Sequence, residues 1–425
     1  MNLFKSDHSK LSGVRTQPRR AALLGFAALA ALGSRPSIAA EAGWQTTGAL
    51  TVRGSYDGNV FLQESGALSG RDSLITTICP EFGASFVGRG GKGFAAYAPE
   101  VAWYRDEREE DFVAHRLHHA ADGVLGTYSF AFNGSLTVMD GPGESVVYDG
   151  VGGAPAVGGF STRDRRDATV VREHLVFARR GETWVGRAVF GYYDHDFRSN
   201  KRALPGYQNH ADREDRSWGA DLGRRLSDRS TSYVGFRSGS WRHERLFGTG
   251  PAYDHDYVRA LVSIEGDVAP KVKLTAATGP TWHDYGPHTA QGFRARTTWY
   301  MDIKGTYAPT SADALVISVK QFLQPSGSGG GISEDTIATI DWTHVLSKRW
   351  VATIGLRAYW CDFESPVVRS DLIKSLSLGL RRSLSERVKV EAGITWDDGD
   401  SRVRLTPARE FQRFIGSVSM RTELW

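Results

Sequence analysis

The chain is poor in cysteine, with two in 425 residues. That excludes a disulfide-built scaffold and any thiolate-rich metal cluster. Past residue 40 no apolar run approaches the ~20 residues that a membrane-crossing helix needs. Charge of one sign is also scarce once the first forty residues are set aside. They hold six bases (Lys5, Lys10, Arg15, Arg19, Arg20, Arg35) and one acid (Asp7), so without them the formal net charge falls from +4 to −1. The basic pI belongs to that start, and the electrostatic case for a nucleic-acid partner goes with it. A nucleophile constellation is missing too. There is no His-x-Ser past residue 40, and Asp-His neighbours such as His283-Asp284 match barrel proteases only loosely. No enzymatic activity and no cofactor are expected.

The first forty residues read as a leader. Arg15, Arg19 and Arg20 precede an uncharged apolar run from Ala21 to Leu32, followed by Ser34, Pro36, Ser37, Ala39 and Ala40. A charged region, an apolar region and small residues in that order are the signature of a secretory signal peptide. The expected division is a signal peptide over 1–40, cut between Ala39 and Ala42, and a single domain over 41–425. An exported chain without a membrane helix is periplasmic, extracellular, or threaded through an outer membrane as a β-barrel.

The pattern of strands decides among these. The chain has 48 Gly, 12 Trp, 15 Tyr and 20 Phe, a composition of strands and tight turns rather than of a helix bundle. Several segments alternate strictly over lengths unusual for soluble strands. In 293–307 one row reads Phe293, Ala295, Thr297, Trp299, Met301, Ile303, Gly305, Tyr307, and the other reads Arg294, Arg296, Thr298, Tyr300, Asp302, Lys304, Thr306. Segments 272–283 and 388–397 behave alike. Strict alternation gives one apolar wall and one polar wall. In a membrane barrel the apolar wall faces lipid, and each strand needs ~9–11 residues to cross.

Eighteen strands are expected, near 45–57, 72–87, 92–105, 112–120, 124–139, 167–180, 182–196, 213–226, 229–243, 253–267, 271–284, 292–308, 311–325, 332–346, 349–363, 369–384, 387–398 and 409–425, with sixteen as the alternative count. Tight connections, such as Asp122-Gly123, Ser227-Asp228 and Ser385-Glu386, alternate with longer ones, of which 140–166 is the longest. Short turns on one side and long loops on the other mark a transmembrane, antiparallel, up-and-down β-barrel. The fold class is all-β. Aromatics fall at both strand ends: Trp282, Tyr359, Trp360 and Trp396 near the loops, Tyr307, Trp342 and Trp350 near the turns, as bilayer interfaces select. The sequence ends in Trp425, an aromatic end of the kind that the barrel-assembly machinery reads, although Trp425 is out of phase with the apolar row Phe414, Gly416, Val418, Met420, Leu424.

The segment Thr51-Val52-Arg53-Gly54-Ser55-Tyr56-Asp57-Gly58-Asn59-Val60-Phe61, followed by Asp72-Ser73-Leu74-Ile75 and Pro80, resembles the outer-membrane beta-barrel porin family of the second type. Its members tend to open with Tyr-Asp-x-Asn-hydrophobic just inside the first strand. The resemblance implies a Gram-negative outer-membrane barrel and a pore, often linked to polysaccharide-export loci. It brings no catalytic residues.

An eighteen-strand barrel encloses a water-filled channel unless loops fold in. The expected pore-lining residues are Arg187, Asp221, Arg225, Arg237, Arg259, Arg294, Arg296, Asp302, Lys304, Arg357, Arg381, Lys389 and Glu391. Bases outnumber acids among them, which points to a mild preference for anions. The Gly-rich loop 140–166 is the candidate constriction, with Glu144 and Asp149 facing Arg294 and Arg296; a plain surface loop is the alternative. Tyr193-Asp194-His195-Asp196-Phe197 recurs as Tyr253-Asp254-His255-Asp256-Tyr257, with the acids on one face and the histidine on the other. A bridging divalent cation there, or at His115, His118 and His119, is the lesser reading, and solvated extensions above the membrane the greater. No metal site is assigned. Cys79 and Cys361 sit on the lumen row of distant strands, so no bridge is expected.

The leading expectation is passive diffusion of small hydrophilic solutes through an outer-membrane channel, surrounded by outer-membrane lipid and lipopolysaccharide, with the oligomeric state open. The runner-up is a conduit for an anionic exopolysaccharide, favoured by an end-to-end run of lumen arginines. A third reading is a secreted all-β carbohydrate-binding protein, whose apolar walls would face each other.

Overall fold

In the computed structural model the described residues are 43–62, 64, 69–141, 168–197, 212–244, 254–285, 295–325, 331–366, 369–403 and 410–425. The expected signal peptide, Arg294 and the candidate constriction residues Glu144 and Asp149 lie outside them. Eighteen strands follow one another: β1 (Gly43–Asp57), β2 (Ser73–Gly88), β3 (Gly91–Tyr104), β4 (Phe112–Leu125), β5 (Tyr128–Asp140), β6 (Ala168–Arg180), β7 (Trp184–Phe197), β8 (Asp212–Arg225), β9 (Ser230–Glu244), β10 (His255–Ala269), β11 (Val272–Tyr285), β12 (Ala295–Tyr307), β13 (Asp313–Pro325), β14 (Gly331–Val345), β15 (Trp350–Pro366), β16 (Arg369–Ser383), β17 (Val388–Val403) and β18 (Phe411–Glu423). Each pairs antiparallel with its neighbours in sequence, and β18 returns to β1, from Ala49↔Glu423 to Asp57↔Ile415. The barrel is closed, so the ring as a whole has no free edge. The eighteen-strand count holds, and sixteen is set aside.

One end carries connections of two to five residues, residues 89–90 and 308–312 being the extremes. Three of these turns share a Leu-Ser-x-Arg opening (Leu226, Leu346, Leu384). In each the serine hydroxyl accepts the amide two residues on, Ser227 from Arg229, Ser347 from Arg349 and Ser385 from Arg387. Two turns use the left-handed region, Gly126 with φ 62° and Lys271 with φ 65°. Gly126 corrects the expected Asp122-Gly123 turn. Those two residues stay in the ladder opposite Lys92 and Gly91, and β4 runs on to Leu125. The Asp-Gly pair is a strong local turn signal, but an unbroken ladder on both sides of the strand outweighs it.

The register sorts every strand into an outward and an inward row. The outward row is apolar and bare: Val262 is 62% exposed, Val418 58%, Trp282 47% and Ile394 45%. A wall of this kind around a closed ring has no second sheet to pack against, so it meets hydrocarbon. That removes the secreted-protein reading, which needs its apolar rows packed on one another. Trp282, Trp360 and Trp396 at the loop ends and Tyr307 and Trp342 at the turn ends are exposed on this wall. Tyr359 does not belong with them. It is fully buried on the inward row, where its hydroxyl donates to Asp335 Oδ2 at 2.8 Å. Trp425 lies past the end of β18, where strand alternation no longer governs it. Its ring covers Gly48 on the outer wall, 6.4 Å from the ring of Phe82, and a Cβ at Gly48 would stand 2.5 Å from it.

Candidate functional site

The inward rows hold the polar chemistry. Arg187, Asp221, Arg225, Arg237, Arg259, Arg296, Asp302, Lys304, Arg357, Arg381, Lys389 and Glu391 all stand on them by register. The structure gathers most of these into compact charge groups. Asp221 on β8 accepts from Arg187 on β7, and from Arg237 on β9 at 2.6 and 3.0 Å; Arg187 also reaches Glu265 on β10 at 2.8 Å. Two glycines make room for this group. A Cβ at Gly235 would lie 1.8 Å from Asp221 Oδ1, and one at Gly219 would meet Arg237 Cδ at 2.6 Å. Glu100 takes Arg53 at 3.2 Å together with Arg116, Arg421 is bidentate on Glu81 at 3.0 and 3.1 Å, and Asp302 meets Lys320 at 3.4 Å. Arg381 faces Glu391 in register, and Lys389 bonds Glu423 at 2.5 Å.

Arg259 differs. Its Nε donates to Thr281 Oγ1 at 2.8 Å, its guanidinium lies 3.7 Å over the ring of Tyr300, and it makes no ion pair among the described residues. Tyrosine faces hold a cation through the ring quadrupole and leave its charge uncancelled. Arg259 is therefore a fixed positive point on the wall.

The first loop folds inward, and no reading of the sequence assigned it that place. Asp57, the last residue of β1, is buried against Arg413 of β18, which donates Nε to Oδ1 at 3.0 Å and Nη2 to Oδ2 at 2.6 Å. The same Asp57 Oδ1 accepts the amide of Asn59 at 3.0 Å, while Asn59 Nδ2 donates to the carbonyl of Gln412 at 2.9 Å and Gly58 N to that of Phe414 at 2.9 Å. This turns the chain into the barrel. Val60 and Phe61 then bury against Ala102 and Tyr104, with Ile75 and Phe112 beside them. Leu62, left-handed at φ 51°, packs on Ile337, Tyr359, Cys361, Ile373 and Phe411. Residues 58–62 thus form a ledge at the loop end, touching strands on both sides of β1. The Tyr-Asp-x-Asn-hydrophobic motif is this ledge's fastening. Its signal in the sequence was the apolar triplet Val60-Phe61-Leu62, in a loop where solvent would favour polar residues.

Half-way round the ring the inward wall carries an aromatic–histidine cluster. His255 lies 4.8 Å from the Tyr285 ring and 5.0 Å from His283, with Trp241 stacked at 6.3 Å and Tyr193 at 6.0 Å from Trp241. His283 Nε2 bonds Thr298 at 3.0 Å, and Tyr257 donates to Asp215 at 3.1 Å. The two Tyr-Asp-His-Asp repeats split as their alternation demands. His195 and His255 are buried inward, while Asp194 and Asp256 stand on the outward row above the lipid-facing residues, Asp256 meeting Arg242 at 2.5 Å.

His118 faces inward, but His115 and His119 are on the outward row. His115 Nδ1 bonds the Tyr97 hydroxyl at 2.7 Å. His119 pairs with Glu173 at 3.1 Å across Gly134, where a Cβ would stand 2.0 Å from the carboxylate. Among the described residues no group of three metal-ligating side chains comes together. Cys79 and Cys361 are both free, the first half-buried and the second buried.

No protein-family model and no curated protein matches the chain. Several solved structures do. The anion-selective porin from Comamonas acidovorans is 12% identical, with 90% of this chain and 100% of that one covered and a TM-score of 0.39. Pseudomonas aeruginosa OccK2 (OpdF), solved in complex with glucuronate, is 10% identical over 89% and 98%, with a TM-score of 0.45. The FrpB iron transporter from Neisseria meningitidis is 8% identical over 84% of this chain, which spans 62% of FrpB's length, with a TM-score of 0.42. The likeness is one of general barrel shape.

Proposed function

We propose that this chain is a Gram-negative outer-membrane channel, porin-like, for passive diffusion of small hydrophilic solutes, with a mild preference for anions. One observation carries the reading: a closed ring whose outward rows are bare hydrocarbon-facing apolar residues and whose inward rows carry fixed charge from β1 to β18. Such a wall solvates a water path through a layer that otherwise excludes ions. The anion preference rests on Arg259, Lys304 and Arg381, inward cations that share no ion pair among the described residues, and the pore-lining roles of the other inward residues belong to the same proposal. The reading includes a signal peptide over 1–40, removed before the 41–425 domain enters the membrane through the assembly machinery, and lipopolysaccharide around the outer rim. Porins occur among the similar folds, including one described as anion-selective.

The exopolysaccharide conduit is less favoured. It needs an unbroken arginine track, and here Arg187, Arg237, Arg53, Arg116 and Arg421 are compensated by carboxylates, while the ledge narrows the loop end. Planar-bilayer recording of the purified protein tests the reading. Stepwise conductance with a reversal potential displaced toward the chloride equilibrium value is expected, and folded protein with no conductance above background refutes it.

A further inference from the structure

One corner of the wall is lapped inside its neighbour. Between β12 and β13 the ladder runs only from Tyr307↔Leu315 to Met301↔Gln321. On their other sides both strands stay paired further toward the loop end, β12 with β11 as far as Asp284↔Ala295 and β13 with β14 as far as Pro325↔Ile332. Carried on, the register of this seam would join Tyr300, Trp299, Thr298 and Thr297 to Phe322, Leu323, Gln324 and Pro325. The two strands part before those pairs form.

Side chains show where the β13–β14 corner lies. Leu323, Ile332 and Glu334 belong to the outward rows of β13 and β14, whose mid-wall members Ile317 and Ile340 are exposed to lipid. Yet Ile332 is fully buried with inward Tyr285, and Leu323 packs on the same pair. Arg296, on the inward row of β12, donates Nη2 to Glu334 Oε2 at 3.1 Å, and Gln321 at the end of the ladder donates Nε2 to Glu334 Oε1 at 2.6 Å. The outer face of the corner therefore covers the inner face of β11 and β12. On the corner's own inner face, Phe322 packs on Ile337, Tyr359, Cys361, Ile373 and Phe411, the cluster that also holds Leu62 of the ledge. Beside it the β14–β15 ladder slips between Gly331 and Ser333, an irregularity of the kind that bends a strand.

Two arrangements compete for these residues. Lapped in, the corner buries Ile332 and part of Leu323 and gives Glu334 two donors. Residues 297–300 of β12 then have no ladder partner on the β13 side among the described residues. They stand level with Trp282 at the edge of the bilayer, where unpaired backbone is costly. Straightened, the corner regains up to four ladder positions and gives up the Tyr285 contact and the ion pair. We propose that the β13–β14 corner is a gate leaf, turning at Gln321 between the lumen and the wall, with Glu334 on Arg296 as its latch. In the lapped position it narrows the loop end beside the ledge. In the wall it widens the lumen and bares Arg296 to passing anions. The gate rests on the channel reading, but the position of the corner is measurable without current.

A disulfide reports that position in the full chain, folded in proteoliposomes with Cys79→Ser and Cys361→Ser as background. Trp299→Cys with Leu323→Cys joins residues that meet only in the straightened wall. Ile303→Cys with Val319→Cys, partners in the present ladder, is the control. Scored on the heat-modifiable, folded fraction under mild oxidation, the first pair links slowly and the control quickly. Glu334→Gln removes the latch charge and speeds the first link several-fold, and the exchange Arg296→Glu with Glu334→Arg slows it again. In planar bilayers the linked first pair holds a larger conductance, and dithiothreitol restores the smaller one. A first pair that never links while the control does, even with Glu334→Gln, makes the corner a fixed wall and overturns the gate. So does a first pair that links as fast as the control with the latch intact, a rate unmoved by Glu334→Gln, or a link that leaves conductance unchanged. If the first pair links and no form of the protein conducts, the channel itself fails, and the gate with it.

Discussion

Replacing Asp57 with alanine removes the fastening of the inward ledge and leaves the barrel ladder intact. Burying Val60, Phe61 and Leu62 contributes about 1.5–3 kcal/mol each. Ordering residues 58–62 costs about 1–2 kcal/mol each in backbone entropy. The two sums nearly cancel, so polar contacts decide whether the ledge stays docked. Asp57→Ala takes two charge-assisted hydrogen bonds away from the buried Arg413, a loss of about 3–5 kcal/mol, and deletes the Asn59 amide bond, about 1 kcal/mol more. The ledge then undocks in most molecules. Single-channel recording should show a larger main conductance and fewer brief closures, while heat modifiability in detergent confirms a folded barrel. The double variant Asp57→Leu, Arg413→Met removes both charges and keeps the volume apolar, so its conductance should return toward that of the native protein. A folded Asp57→Ala channel with native conductance and gating noise would refute the reasoning, as would a double variant as open as the single one.

Gly235→Ala forces a methyl to within 1.8 Å of Asp221 Oδ1, so the Arg187–Asp221–Arg237 group must shift. The temperature at which the folded band converts in detergent electrophoresis should drop, at a cost of about 1–3 kcal/mol; an unchanged midpoint contradicts the packing described. Lys304→Gln and Arg381→Gln remove exposed inward cations, and each should move the reversal potential toward the potassium value, with the pair additive within error. No movement would place anion preference elsewhere. A cationic methanethiosulfonate added to the open channel should modify half-buried Cys79 and reduce conductance, while Cys361, packed beneath Leu62, stays unlabelled until the protein is unfolded; prompt labelling of Cys361 in the native protein would show the ledge undocked.

The sequence by itself determined the wall. Period-two alternation depends only on which side of a strand meets hydrocarbon, and that choice is local, residue by residue. It was legible in Phe293–Tyr307, where Trp299, Met301 and Ile303 face out and Tyr300, Asp302 and Lys304 face in. The same rule placed Arg187, Arg237 and Arg259 on the inward rows, because one register serves every residue of a strand. Tertiary structure decided what those rows do with each other. Asp57 meets Arg413 because closure and register bring β1 and β18 together, and Arg296 meets Glu334 because the β12–β13 ladder parts at their level. The seam between β12 and β13 has no local signature either, since Thr297–Tyr300 alternate as well as their paired neighbours. Tyr359 shows both levels: beside outward Trp360 it faces inward by alternation alone, so it is no interface aromatic, while the ledge that buries it there arrives from a loop about three hundred residues away in sequence. Alternation is a property of one strand in one solvent. Pairing of charges, docking of a loop and the extent of a ladder are properties of the closed ring.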